Sequence, residues 1–295
     1  MSVALAGAEP AGARETAPTP HRRGPTPTPN LRLPLAMRAL LLTLLLVPAV
    51  PASAQAARPW TASARQSAEL FDDGRAPWLV SEAIVERRLA AGARAGGARA
   101  GGALAVGGGR AERYDRAAAF GVLDGYAGLA PRLYGNVRLW LAPGAETVAR
   151  RDVLAELYGG LPGGVELSAG ARRIDFAGGG ATLLLGSATL FRPAGRLRAR
   201  VSAAPTDSAT ALSAGLVARL DLGRGGDTHV ALRGGRSQEV VAGPDETVAL
   251  RTAWDLGLDG AVRLGRRATL GAGLGRVWDG GLSRTAVEGR LRLDL

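Results

Sequence analysis

The chain has 295 residues, 37 of them basic and 26 acidic, giving a formal net charge of +11 at pH 7. It contains no Cys and two His, which excludes disulfides, thiolate chemistry and a structural zinc site of the usual Cys/His kind. All the basic residues are Arg, spread along the chain rather than clustered on a patch or helix face, so nucleic acid is not the expected partner.

Residues 1–36 form a Pro/Thr/Ala-rich extension (Pro18-Thr19-Pro20, Pro25-Thr26-Pro27) with too little apolar matter to pack, and are expected to be disordered. The second methionine, Met37, opens a different kind of text and is the expected translation start. Arg38, the apolar run from Ala39 to Val50 and the small residues Ala52-Ser53-Ala54 read as a signal peptide over 37–54, cleaved between Ala54 and Gln55. The run is too short for a spanning helix, which needs ~20 apolar residues. A short lead covers 55–62.

From 63 to 295 the period is two. Leu133, Val137, Leu139 and Leu141 oppose Arg132, Asn136 and Arg138; Leu197, Ala199 and Val201 oppose Arg196, Arg198 and Arg200; Val287, Leu291 and Leu293 oppose Glu288, Arg290 and Arg292. Side chains alternate across a strand, so each such strand has one apolar and one charged face. The expected strands are 63–71, 78–88, 102–112, 117–128, 132–142, 150–159, 164–175, 181–191, 195–203, 210–221, 228–238, 247–264, 268–278 and 284–295. Several exceed the globular mode of ~5–6 residues and match the ~9–11 that a tilted strand needs to cross a bilayer. The aromatic content of 4% is thin for the core of a large sandwich. Connections alternate between tight turns (Ala130-Pro131, Leu161-Pro162-Gly163, Pro193-Ala194-Gly195) and longer segments (72–77, 143–149, 240–246), as periplasmic turns and outer loops do; 91–100 is long for a turn at its end. The fold class is therefore all-β: a single transmembrane antiparallel up-and-down β-barrel of about fourteen strands, within a range of twelve to sixteen, in the bacterial outer membrane.

The stretch Ala155 to Phe176 reads as a strand, a Leu161-Pro162-Gly163-Gly164 turn, and a second strand ending in Arg172-Arg173 and Phe176. With Ala130-Pro131-Arg132-Leu133-Tyr134-Gly135 and the opening from Ser67 to Trp78, it resembles the YaiO family of outer-membrane β-barrels over nearly all of 60–295. Two departures stand out: the chain ends on Leu295 where such barrels commonly end on an aromatic residue, and no helical-repeat region precedes the barrel. The resemblance implies an architecture and a compartment rather than a reaction, in a setting of envelope or surface-polysaccharide traffic. The partners that follow are outer-membrane lipid, periplasmic chaperones and the barrel-insertion machinery, and a glycan or small solute as cargo.

In a barrel of this kind the charged parity faces the lumen. Candidate lumen residues are Asp124, Tyr126, Arg132, Tyr134, Arg138, Glu156, Tyr158, Glu166 and Arg172, followed by Arg198, Arg200, Arg219, Arg251, Asp255, Asp259, Arg263, Glu288, Arg290 and Arg292. Arginines outnumber acids on this face, which favours either a lumen filled with ion-pair ladders or a narrow passage that prefers anions. A symmetric turn at 129–131 puts Tyr126 opposite Tyr134, and an even loop at 143–149 brings Tyr158 beside Tyr134: a tyrosine shelf able to stack a sugar or to pack the interior. Alternative readings are a passive porin-like channel and an outer-membrane hydrolase. The hydrolase would depend on His229, which follows a tight turn and has no Gly-x-Ser-x-Gly elbow to serve. Gly107–Gly109 and Gly178–Gly180 lack the Lys-Ser/Thr ending of a phosphate loop and read as bends. No enzymatic activity, cofactor or metal is expected.

Overall fold

The computed structural model describes residues 60–92, 100–205, 210–222, 226–242, 248–279 and 282–295. The extension 1–36, the signal peptide with its cleavage point, and 55–59 of the lead lie outside them. Among the described residues there are fourteen strands: β1 (Trp60–Phe71), β2 (Trp78–Gly92), β3 (Ala100–Arg113), β4 (Arg116–Ala130), β5 (Leu133–Leu141), β6 (Arg151–Leu161), β7 (Val165–Phe176), β8 (Gly179–Arg192), β9 (Gly195–Pro205), β10 (Thr210–Asp221), β11 (His229–Ala242), β12 (Val248–Leu264), β13 (Ala268–Asp279) and β14 (Leu282–Asp294). Each is antiparallel to its sequence neighbours, and β1 pairs with β14, closing the barrel. Closure leaves no sheet edge, the condition for a β-structure to sit in lipid.

The two-residue period sorts the side chains. Leu104, Val106, Leu123, Val137, Leu157, Leu184, Val201, Leu216, Leu256, Leu258 and Leu274 stand exposed on the outer face. Trp254 and Trp278 are register partners on that face, and from Trp254 it continues through Leu256, Leu258, Val262 and Leu264. Ten tilted residues at ~3.4 Å rise span about 25 Å, the height of the apolar band of a membrane barrel.

The barrel has a turn end and a loop end. At the turn end β6 passes to β7 through Pro162–Gly164, where Gly163 has φ 78°, a left-handed conformation that glycine adopts without strain. Both termini of the described barrel lie at this end, where the Leu295 amide donates to the Trp60 carbonyl at 3.0 Å. At the loop end β3 and β4 are joined by Tyr114 and Asp115, both at positive φ (52° and 61°), the twist that suits a two-residue hairpin.

The connection from 142 to 150, expected as a plain outer loop, folds inward. The Ala142 amide donates to the Arg150 carbonyl at 2.9 Å, and Thr147 Oγ1 donates to the Arg113 carbonyl at 3.3 Å. Trp140 Nε1 donates to the Ala149 carbonyl at 3.3 Å. Ala142, Ala145 and Val148 bury against Ala111, Phe120 and Val122. Ala149 continues the packing onto Ile174 and Phe176. Gly107 and Gly109 are strand residues here, not turn residues. A Cβ on Gly109 would lie 1.9 Å from the Ser81 carbonyl oxygen and 2.7 Å from Phe120 Cζ. That close approach makes room for Phe120, which stacks on Trp140 with centroids 3.5 Å apart.

Candidate functional site

Contacts between strands that are not neighbours show which side chains share the interior. Arg138 of β5 reaches Glu82 of β2 at 3.3 Å. Three inter-strand steps along the wall measure about 14 Å, so the pair is made across the concave side. Tyr134 of β5 donates its hydroxyl hydrogen to Glu166 of β7, past β6. Glu156 of β6 lies 3.7 Å from Arg198 and 3.6 Å from Arg200, both on β9. Asp124 accepts from Asn136 Nδ2 at 2.6 Å, and Arg172 donates through Nε to Asp152 at 2.9 Å.

Two carboxylates act as hubs. Glu82 is 4% exposed and lies 2.7 Å from Arg65 as well as near Arg138. Glu156 is 2% exposed and also accepts from Ser168 Oγ at 2.6 Å. A buried carboxylate this dry needs its cations and hydrogen bonds to stay charged. The arginine excess expected from sequence is therefore smaller in the structure. Glu69 and Asp279 take Arg284, Asp152 takes Arg172, and Asp294 takes Arg263. On the β9–β11 wall Arg196 and Arg233 make no ion pair among the described residues. The Arg251 side chain lies outside the described residues.

The tyrosines meet, with one correction to their register. Tyr134 pairs with Tyr158, the rings stacked at 4.7 Å and 7°. Tyr126 pairs with Asn136, not with Tyr134, because the chain turns at Pro131-Arg132 rather than symmetrically about 129–131; a bulge between Gly128 and Ala130 then moves the β4–β5 ladder by one residue. The diagonal neighbours still touch, with ring centroids 5.0 Å apart at 57°. Arg132 belongs to the turn rather than to β5. It has φ 64° and is exposed at the turn-end mouth, where a second cavity of about 450 Å³ begins.

Together these residues wall a cavity of about 290 Å³ inside the turn end of the lumen. Tyr126, Tyr134, Tyr158 and Glu166 line it, as do Asn136, Thr189, Phe191, Arg196 and Arg198, which sequence reasoning had not placed there. Parity alone puts Phe191, Arg196 and Arg198 on the inner face; their approach to the tyrosines depends on the curvature of the wall. Asp124, Arg138 and Arg172 lie farther along their strands toward the loop end and do not line the cavity. His229 opens β11 at the turn end, its Nε2 3.8 Å from Asp259. Among the described residues no cluster of His, Asp and Glu could hold a metal.

An all-antiparallel closed barrel with an apolar outer face and a charged lumen defines the molecule as a membrane β-barrel. The YaiO membrane β-barrel domain matches residues 62–239, more than half the chain, and the protein belongs to that family. No curated protein matches the sequence. Similar solved structures include Omp33, an outer membrane protein of Acinetobacter baumannii (8% identity, 81% of this chain and 100% of that one, TM-score 0.49). A bacterial polysaccharide outer membrane secretin aligns with 9% identity over 82% of this chain and 100% of its own, TM-score 0.48. Pseudomonas aeruginosa OpdL aligns with 11% identity over 79% and 96%, TM-score 0.43.

Proposed function

We propose that this barrel resides in the bacterial outer membrane, reached by export and by hand-over from periplasmic chaperones to the insertion machinery, and that it holds a glycan at the turn end of its lumen. The aromatic cavity carries this reading. Tyr126, Tyr134, Tyr158 and Phe191 offer flat apolar faces, and Asn136, Glu166 and Thr189 offer hydrogen-bonding groups beside them. That pairing suits a sugar, which has apolar ring faces and a rim of hydroxyls. Ligand pockets are mostly apolar with a few convergent polar groups, and run from roughly 300 Å³ upward. A cavity of about 290 Å³ takes a terminal or passing sugar residue rather than a long stretch of chain. With short turns periplasmic, the cavity opens to the periplasm, consistent with a role in envelope or surface-polysaccharide traffic. The protein acts here by binding and guiding, not as an enzyme.

The test is oligosaccharide binding to the purified barrel in detergent. Tyr134→Ala with Tyr158→Ala should weaken binding at least tenfold while the barrel stays folded by its heat-modifiable migration. Unchanged binding would leave the tyrosines a packing role only. The glycines on the inner parity at 215, 235, 257, 271, 273 and 275 leave that wall thin and favour a second reading, a passive small-solute channel. Steady single-channel current in planar bilayers supports that reading, and silence supports a closed barrel.

A further inference from the structure

Building on the glycan reading, we infer that the cavity takes an acidic sugar, whose carboxylate is received by Arg196 and then passed along a column of arginines on β9. Most lumen arginines are neutralised at close range: Arg65 by Glu82 at 2.7 Å, Arg263 by Asp294 at 2.6 Å, Arg284 by Glu69 at 2.7 Å. Arg196 lines the cavity, is exposed within it, and makes no ion pair among the described residues. Its neighbours in the column are only half neutralised. Arg198 and Arg200 share one carboxylate, Glu156, at 3.7 and 3.6 Å, and that carboxylate already accepts from Ser168. Arg198 Nε is buried without a partner.

The spacing makes a track. Arg196, Arg198 and Arg200 occupy alternate positions of one strand, all on the inner parity, at steps of about 6.7 Å along the lumen. On the strand beside them, β10, Arg200 is opposite Gly215, Arg198 opposite Val217, and Arg196 opposite a second cation, Arg219. Among the described residues the one carboxylate lining the cavity, Glu166, accepts from Tyr134 on the tyrosine side, so an acid group on the ligand points toward β9. Aromatic faces opposite under-neutralised cations fit a sugar bearing a carboxylate better than a neutral sugar or a bare anion. The ring satisfies one wall and the charge the other.

Binding of three probes to the detergent-solubilised full barrel tests this: trigalacturonate, maltotriose of equal length, and acetate. Trigalacturonate should bind at least tenfold more tightly than maltotriose. Arg196→Gln should bring it down to the maltotriose level, and Arg196→Lys should restore part of the difference. Equal binding of the two sugars overturns the acidic-sugar inference and leaves the glycan reading standing. Binding of neither sugar overturns both. Acetate bound as well as trigalacturonate, with no effect of the double tyrosine variant, also overturns both in favour of a simple anion site. Heat-modifiable migration of each variant confirms that the barrel is intact before its binding is scored.

Discussion

From β2 to β8 the inner wall carries Phe120, Val122, Trp140, Ile174, Phe176 and the three tyrosines, with the 142–150 connection folded against them. From β9 to β14 the same parity carries glycines overlain by arginine. Positions 215, 235, 257, 271, 273 and 275 are all Gly. Arg233 lies along Gly257 and Gly275, and Arg290 lies over Gly271. Fourteen strands enclose more space than one layer of side chains fills, yet less than an open porin. The difference between the walls shows how this sequence handles that width. One half is filled and rigid, the other keeps a thin, charged lining, and the candidate site sits where the two meet.

The contrast should show in one substitution made on each wall. At Gly109 a Cβ would strike the Ser81 carbonyl at 1.9 Å and the Phe120 ring, and neither can yield without moving the wall. Gly109→Val should destabilise the barrel by about 3 kcal/mol, the upper end of overpacking costs, read as a shift in its urea unfolding midpoint in vesicles. At Gly257 the obstacle is Arg233 Nε at 2.6 Å, the far part of a flexible side chain. Gly257→Ala should cost under ~1 kcal/mol. Equal losses at both sites would erase the distinction between a packed half and an open one.

A smaller effect separates the hubs. Glu82→Gln leaves Arg65 and Arg138 without their shared carboxylate, held now at 2.7 and 3.3 Å. Breaking a buried pair costs ~3–5 kcal/mol. Both arginines are more than a third exposed to the lumen, so the expected loss is about 2 kcal/mol after solvent screening. Glu156 holds its arginines at 3.6 and 3.7 Å, and Glu156→Gln should cost about half as much. Unfolding midpoints of the two variants that coincide, or reverse in order, would show that separation does not rank these hubs.

The strands were legible because a two-residue period needs nothing beyond the chain itself. β10 falls at 210–221 as read from the sequence, and the other strands agree to within a few residues. The stacking of Tyr134 on Tyr158 follows from the same local counting. What the sequence withholds depends on geometry between strands. The turn at Pro131-Arg132 and the bulge at Gly128–Ala130 have no signature among small residues, so counting from the chain alone puts Tyr126 opposite the wrong residue. The inward fold of 142–150 relies on Ala142, Ala145 and Val148, too small and too few to announce a core. Glu82 meets Arg138 across 56 residues of chain only because the wall curves. The pairing of Arg138 with Glu82, of Arg198 and Arg200 with Glu156 and of Arg284 with Glu69 depends on curvature and closure and cannot be counted from parity.

The weakest expected effect lies at the seam where β1 meets β14. Inside it, buried Arg284 holds Glu69 at 2.7 Å and Asp279 at 3.4 Å. Outside, exposed Asp72 accepts from Arg276 Nη1 at 2.8 Å, while the Asp72 amide donates to the Ser283 carbonyl at 3.2 Å. The hydrogen bond from Arg276 holds the Asp72 carboxyl below its ordinary value of 3.8, opposed by desolvation and by the neighbouring Asp73 charge. A carboxyl whose folded pKa is depressed stabilises the folded clasp fully above the unfolded pKa, and that contribution is lost as pH falls through the folded one. The outer clasp should therefore hold at pH 5 and release only on acidification below about pH 3.8. Hydrogen exchange of the 72–77 loop, corrected for intrinsic rates, should quicken on acidification more in the wild type than in Asp72→Asn, which keeps only the Asp73 carboxyl, itself held down by Arg75, to titrate. The Ser283 hydrogen bond does not titrate and keeps the loop near the seam, so the change should be confined to the loop while the strands stay protected. If the wild type and Asp72→Asn respond alike, the outer clasp adds nothing and the seam is held from the lumen side by Arg284.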